Sequence, residues 1–297
     1  MPLFFALLCI LLSPGTAAAA GGGQLVVCGW DEVFVFDLGA PDNPGGKIWS
    51  WRAKDRSELP AELYARFAAT DECKPVDGGR RILITSSSDG VALVDYPSGK
   101  VVFHATAPNA HSAELLPGGR IAVAASHRPN APGDRLVLFD IKRPGKPLFH
   151  AELSWGHGTV WDQKRQILWA LADEDLHAYT LKDWDTDSPS LALSAKYRMP
   201  DRGGHDLYPA ADTPALTVTT GKHCWLFDRD TRHFSPHPEL ADKASVKCIT
   251  VDSATHRTVW MQAEGANWWS ERLRFLNPTG ELIIAGEKLY KARWMPQ

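Results

Sequence analysis

Six times along this chain an apolar run turns tightly and returns as a second apolar run, closing on Phe-Asp or a near equivalent. The copies are QLVVCGWDEVFVFD, RRILITSSSDGVALVD, RIAVAASHRPNAPGDRLVLFD, RQILWALADEDLHAYTL, PALTVTTGKHCWLFD and RTVWMQAEGANWWSERLRFL. A further short strand follows several of them, as in YPSGKVVFHA, KRPGKPLFHAEL and NPTGELII. Each hairpin therefore has one strand before it and one after it. Four antiparallel strands per unit, recurring at roughly 40–50 residues, is the arithmetic of a β-propeller. One such sheet cannot bury both of its faces. Stacking the sheets around an axis buries them and leaves no long free edge.

The reading is all-β: a six-bladed propeller of four-stranded antiparallel blades over residues 24–297. The first unit has strands near Gln24–Gly29, Val33–Asp37 and Lys47–Trp51 but no inner strand ahead of them. The segment Leu289–Met295 is a strand without a hairpin of its own, so the N- and C-terminal strands are expected to close blade one together. One insertion breaks the pattern. Across 57–70, Ser57 is a candidate N-cap, Pro60 stands early, and Leu63, Tyr64 and Phe67 recur at helical spacing, predicting a short helix over one face.

The formal charge is −3, with basic residues scattered. No nucleic-acid surface is expected. Residues 1–20 hold an apolar run, Leu3–Leu12, then Pro14, Gly15 and alanines with an A-x-A spacing. That pattern predicts a signal peptide, although no Lys or Arg precedes the run. The mature chain is expected to be secreted or periplasmic, free of the membrane and monomeric. Of the five cysteines, Cys28, Cys73, Cys224 and Cys248 lie beyond this segment. Two bridges in three connectivities would be possible, but the spacing fits small buried residues on strands better.

In a propeller the first strand of each blade lines the central channel. Those strands open here with Glu72 and Lys74 (DECKPV), His111 (NAHSAEL), His157 (WGHGTVW), His205 and Asp206 (GGHDLYP), Lys247 (ASVKCITV), and Lys291 and Arg293 (LYKARW). A single histidine at a strand start is ordinarily a hydrogen bonder to nearby backbone. Such a residue keeps a constant companion in every blade, whereas here the next residues are Ser112, Gly158 and Asp206. A histidine cluster at the channel mouth is therefore the candidate catalytic site: His111, His157 and His205.

Three neutral imidazoles can hold one divalent transition metal, Mn or Zn, and leave positions open. Without metal, one of them serves as a general acid or base near neutral pH. Lys74, Lys247 and Arg293 would meet an anionic ligand through charge-assisted hydrogen bonds, with Glu72 and Trp155 completing the substrate-binding set. Stabilising an enolate beside a carboxylate is what β-elimination of a uronate requires. The expected partner is an anionic small molecule or a uronate-containing saccharide, and the expected function is a carbohydrate-active lyase. The alternatives are a non-enzymatic binding propeller and a glycoside hydrolase using channel carboxylates among Glu72, Glu114, Asp162 and Asp206.

The segments HSAELLPGGRIAVA, HGTVWD and HDLYP resemble those of a family of secreted bacterial and fungal six-bladed propellers of unknown function. The resemblance covers most of the mature chain and implies the fold. The three-histidine arrangement is also similar in architecture to that of the oligogalacturonate lyases. Their histidines hold a divalent metal beside the substrate carboxylate. No fourth ligand residue aligns, and the blade count differs. Trp161, Trp169, Trp225 and Trp260 fall inside strand patterns and read as wedges between blades. Trp155, Trp268 and Trp269 fall in turns, where an indole face could stack on a sugar ring. No G-x-S-x-G, phosphate-cradling loop or HExxH is present.

Overall fold

A computed structural model describes residues 23–39 and 46–296; the signal peptide expected over 1–20 lies outside the described residues. The chain forms six four-stranded antiparallel sheets. Blade one combines β1 (Gln24–Gly29), β2 (Glu32–Asp37) and β3 (Lys47–Trp51) with β24 (Lys291–Trp294), in the order β24-β1-β2-β3. Blade two holds β4 (Thr70–Val76), β5 (Arg81–Ser86), β6 (Gly90–Asp95) and β7 (Val101–Thr106). Blade three holds β8 (Ala110–Leu116), β9 (Arg120–Ala125), β10 (Arg135–Asp140) and β11 (Phe149–Glu152). Blade four runs from β12 (Gly158–Asp162) through β13 (Ile167–Leu171) and β14 (Asp175–Lys182) to β15 (Ser190–Arg198). Blade five runs from β16 (Asp206–Pro209) through β17 (Ala215–Thr219) and β18 (Cys224–Asp228) to β19 (His233–Pro236). Blade six runs from β20 (Val246–Val251) through β21 (Thr258–Gln262) and β22 (Arg272–Leu276) to β23 (Gly280–Ile283).

The inner strands of neighbouring blades touch, and the core is divided accordingly. Six apolar slabs form, one at each junction between blades. Between blades one and two, Val33, Val35 and Trp51 meet Ile82, Ile84 and Val94. Between blades four and five, Trp169 and Leu171 meet Leu207, Val218 and Phe227. The strands are buried on both faces, which is why runs such as IAVAA show no polar alternation. Each such side chain contributes about 1.5–3 kcal/mol. The slab between blades five and six is the thinnest, built on Cys224, Leu240, Val246, Ile249 and Trp260. Of the expected wedges, Trp169 and Trp260 are buried, whereas Trp161 and Trp225 pack only partly against their slabs. Cys28, Cys73, Cys224 and Cys248 are buried and unpaired.

Closure by the two chain ends is shown by the pairing of Leu25–Cys28 with Lys291–Trp294. The join is tight. At Gly29 a Cβ would lie 1.8 Å from the Lys288 carbonyl oxygen, so no larger residue fits. The insertion before β4 forms 3-10 turns, the longer spanning Ala61–Phe67. It starts after Pro60, not after Ser57, and no side chain caps it. Phe67 anchors it by an edge contact with Trp51 at 5.4 Å. No helix of the described residues is long and apolar enough to cross a membrane.

Candidate functional site at the channel mouth

A shared backbone irregularity builds the mouth. Where β4 pairs with β5 the register jumps from Thr70 to Glu72, skipping Asp71. The same jump skips His111 between Ala110 and Ser112, and Lys247 between Val246 and Cys248. A bulge re-aims the residue it carries. In the other three blades the matching residue directly precedes the inner strand and donates its N–H to the second strand of its blade. His157 reaches the Leu171 carbonyl at 3.0 Å, His205 that of Thr219 at 2.8 Å and Tyr290 that of Cys28 at 2.8 Å. One residue per blade thus forms a tier: Asp71, His111, His157, His205, Lys247 and Tyr290.

The structure brings the three histidines together. The His111 and His157 ring centres lie 4.2 Å apart, and those of His157 and His205 5.4 Å apart. His111 Nδ1 meets the Asn109 carbonyl at 3.0 Å and His157 Nδ1 meets that of Trp155 at 2.8 Å. A carbonyl only accepts, so both Nδ1 atoms carry the proton and both Nε2 atoms keep a lone pair. His111 Nε2 lies 3.7 Å from Asp71 Oδ1. Lys247 Nζ donates to His205 Nε2 at 3.3 Å, and His205 Nδ1 is buried with no partner among the described residues. Tyr290 stands edge-on to His111 at 6.4 Å, with Lys247 Nζ 6.0 Å from its ring centre.

Burial pushes every member of this tier towards its neutral form. It raises the Asp71 carboxyl, against the pull of His111. It lowers His111, lowers His157 further with help from His111 and His205, and takes His205 to about 3 beside Lys247. It brings Lys247 down to about 8, aided by Lys291, and lifts the Tyr290 phenol well above its ordinary value.

Below the mouth the channel is plugged by ions. Arg293 donates to both oxygens of Glu72, at 3.0 and 3.0 Å, and to both of Asp206, at 3.0 and 2.7 Å. Lys291 lies 3.1 Å from Asp206 and 3.5 Å from Glu72. Tyr208 caps the guanidinium at 4.2 Å. Burial alone would neutralise these groups. The mutual charges outweigh it, holding Glu72 and Asp206 low and Lys291 and Arg293 high. Lys74 is engaged by Glu114 at 2.9 Å and the Thr159 carbonyl at 2.7 Å.

These contacts correct the expected substrate-binding set. Arg293, Lys74 and Glu72 are buried and satisfied by protein partners, so they present no free donor or acceptor at the mouth. Of the three expected cations only Lys247 belongs to the tier. Asp162 lies at the far end of β12, paired with Arg165 and Arg229. His205 Nε2 faces an ammonium group. Among the described residues no group of three or more His, Cys, Asp or Glu is arranged to hold a metal ion.

Asp71 and Tyr290 were missed by reading the inner strands separately. Setting TDECK, AHSAE, GHGTV, GHDLY, VKCIT and LYKAR in one column puts both in the tier. Aromatic groups flank the mouth. Trp155 stacks on His127 at 4.8 Å, and Trp268 packs on Trp30 at 4.8 Å and edge-on to Tyr290 at 5.5 Å.

A search of curated proteins finds no match to this chain. Residues 40–297 match a family described as a family of unknown function, DUF6528. That span takes in two of the four strands of blade one and all of the other five blades, and this six-bladed chain belongs to that family.

Proposed function

We propose that this protein is an exported lyase that takes the acidic sugar of a saccharide at the channel mouth and cleaves it by β-elimination. The observation that supports this reading is the six-membered tier, in which a neutral imidazole, a lysine and a neutral phenol share one opening. His111 is the base, because the Asn109 carbonyl holds its Nδ1 proton and leaves its Nε2 lone pair free beside Asp71. Its Nε2 lone pair removes the proton next to the sugar carboxylate, and the positive charge that results draws Asp71 back to its ionised form, which stabilises the imidazolium. Lys247 neutralises the carboxylate as the enolate develops. The electron pair then forms the C=C bond and expels the glycosidic oxygen, which takes a proton from Tyr290. His157 and His205 fix the position of the base and of Lys247. Export through the segment 1–20 places the mature monomer outside the cytoplasm with its substrate.

The test is ultraviolet absorbance of the unsaturated product on a panel of uronate oligosaccharides. Wild type should generate it, and His111→Ala should not. Uronate binding without turnover would replace the lyase reading by a ligand-binding one. One equivalent of Mn or Zn in the purified protein, lost when His111, His157 and His205 become alanine, would replace the imidazole base by metal-assisted chemistry.

A further inference from the structure

We propose that Trp155 and Trp268 are two sugar-stacking platforms on opposite sides of the mouth, so that an oligosaccharide lies across the face with one residue over the histidine tier. The inference rests on the saccharide reading above and extends it to the length of the substrate.

Trp155 and Trp268 are large apolar side chains left open to solvent, at 47% and 39% exposure. Both are tied to the mouth. The Trp155 carbonyl holds the His157 ring, and the Trp268 ring packs on Tyr290. Trp155 belongs to the junction of blades three and four, and Trp268 to the junction of blades six and one. In a ring of six these junctions are diametrically opposed.

Each platform is built to stay in place. Asp134 accepts from the Trp155 N–H at 2.7 Å and pairs with His127 at 2.8 Å; His127 in turn stacks on the indole. Trp268 lies on Trp30, and Lys288 Nζ covers the Trp30 ring at 4.3 Å. Trp155 and Trp30 both adopt left-handed backbone, with φ of 49° and 51°. A bulky residue in that region is strained, and such strain gathers at binding sites. Trp155 held so beside the opening is poorly explained by packing alone, since it is half exposed. A flat, braced indole offers a sugar ring its apolar face at little entropic cost.

Calorimetric titrations with galacturonate, tetragalacturonate and cellotetraose test this on the mature chain. Tetragalacturonate should bind more tightly than galacturonate. Trp155→Ala and Trp268→Ala should each weaken the tetramer roughly three- to tenfold, leave the monomer unchanged, and recover with Phe in place of Ala. Equal affinity of monomer and tetramer in wild type, or alanine variants that bind the tetramer as wild type does, would overturn the platforms. Tryptophan-dependent binding of cellotetraose equal to that of tetragalacturonate would keep the platforms and sink the acidic mouth instead. Failure of every tetramer to bind would overturn this inference, whatever the monomer does.

Discussion

Asp71 and Glu72 are neighbours in sequence, both buried, and they meet opposite fates. Asp71 sits in the mouth tier, where burial raises its carboxyl. Glu72 faces Arg293 and is held firmly ionised. The same contrast divides Tyr290 from Lys291 and His205 from Asp206. In these three inner strands one step along the chain separates a tier of groups driven towards neutrality from a plug of groups locked in charge. Burial is common to both, so it cannot be what decides. The plug has a counter-ion within 3.5 Å for each charge. The tier has only partial partners, such as Asp71 at 3.7 Å from His111. A fully paired set is rigid and chemically quiet, whereas an underpaired set keeps lone pairs and protons to exchange.

Breaking the plug should have the largest effect. Arg293→Met leaves two buried carboxylates to share Lys291 and should cost about 3–5 kcal/mol in chemical denaturation, against about 1 kcal/mol for His157→Ala. Replacing Glu72, Asp206, Lys291 and Arg293 together by apolar residues of similar volume should recover most of that loss. Next comes Gly158, the residue that follows His157 and leaves blade four without a side chain at the level of Glu72 and Asp206. A Cβ there would lie 2.5 Å from that of Leu207, so Gly158→Ala should cost about 1–3 kcal/mol by the same assay.

Smaller effects belong to the mouth. Lys247→Met should weaken a bound uronate about tenfold by calorimetry. Because Lys247 loses its proton near pH 8, wild-type affinity should fall above that pH while the variant stays flat. Stability should separate the two tiers as well. An unfolded histidine takes up a proton near pH 6.5, but His205 in the fold waits until about 3. Between those values the unfolded chain binds more protons, so stability falls as pH falls. The carboxylates of the plug add their loss only below their ordinary range of 4.5 and 3.8. Replacing His111, His157 and His205 by glutamine should remove their share of the pH slope between 6.5 and 4.5, leave the share of His177 and His237, which burial also takes to about 4, and keep the steeper slope below it. A slope unchanged by those substitutions would place the acid sensitivity elsewhere.

The blade repeat was legible because β-strands buried on both faces write themselves as apolar runs, and hairpins need their turns. The histidines were legible because they recur at one place in that repeat. What stayed hidden was which neighbour in each inner strand faces the opening. Glu72, Lys74 and Arg293 read as mouth residues because strand alternation fixes a face only when the register is known. The bulges at Asp71, His111 and Lys247 shift it by one. No pattern in Lys291 or Arg293 reveals that their counter-ions lie in blades two and five, since those contacts span more of the chain than any local signal does.

Closure by β24 has a consequence for a chain still emerging from the ribosome. Residues 290–294 follow all five other inner strands in order of synthesis. Before they appear, Glu72 and Asp206 have neither of their cations, and burying two unopposed carboxylates is unfavourable. The nascent ring therefore has an electrostatic reason to stay ajar, and the last strand brings the attraction that shuts it. Losing that strand would remove Tyr290 from the opening and both cations beneath it in one stroke. In this chain the act of finishing the fold and the act of making the site are the same event.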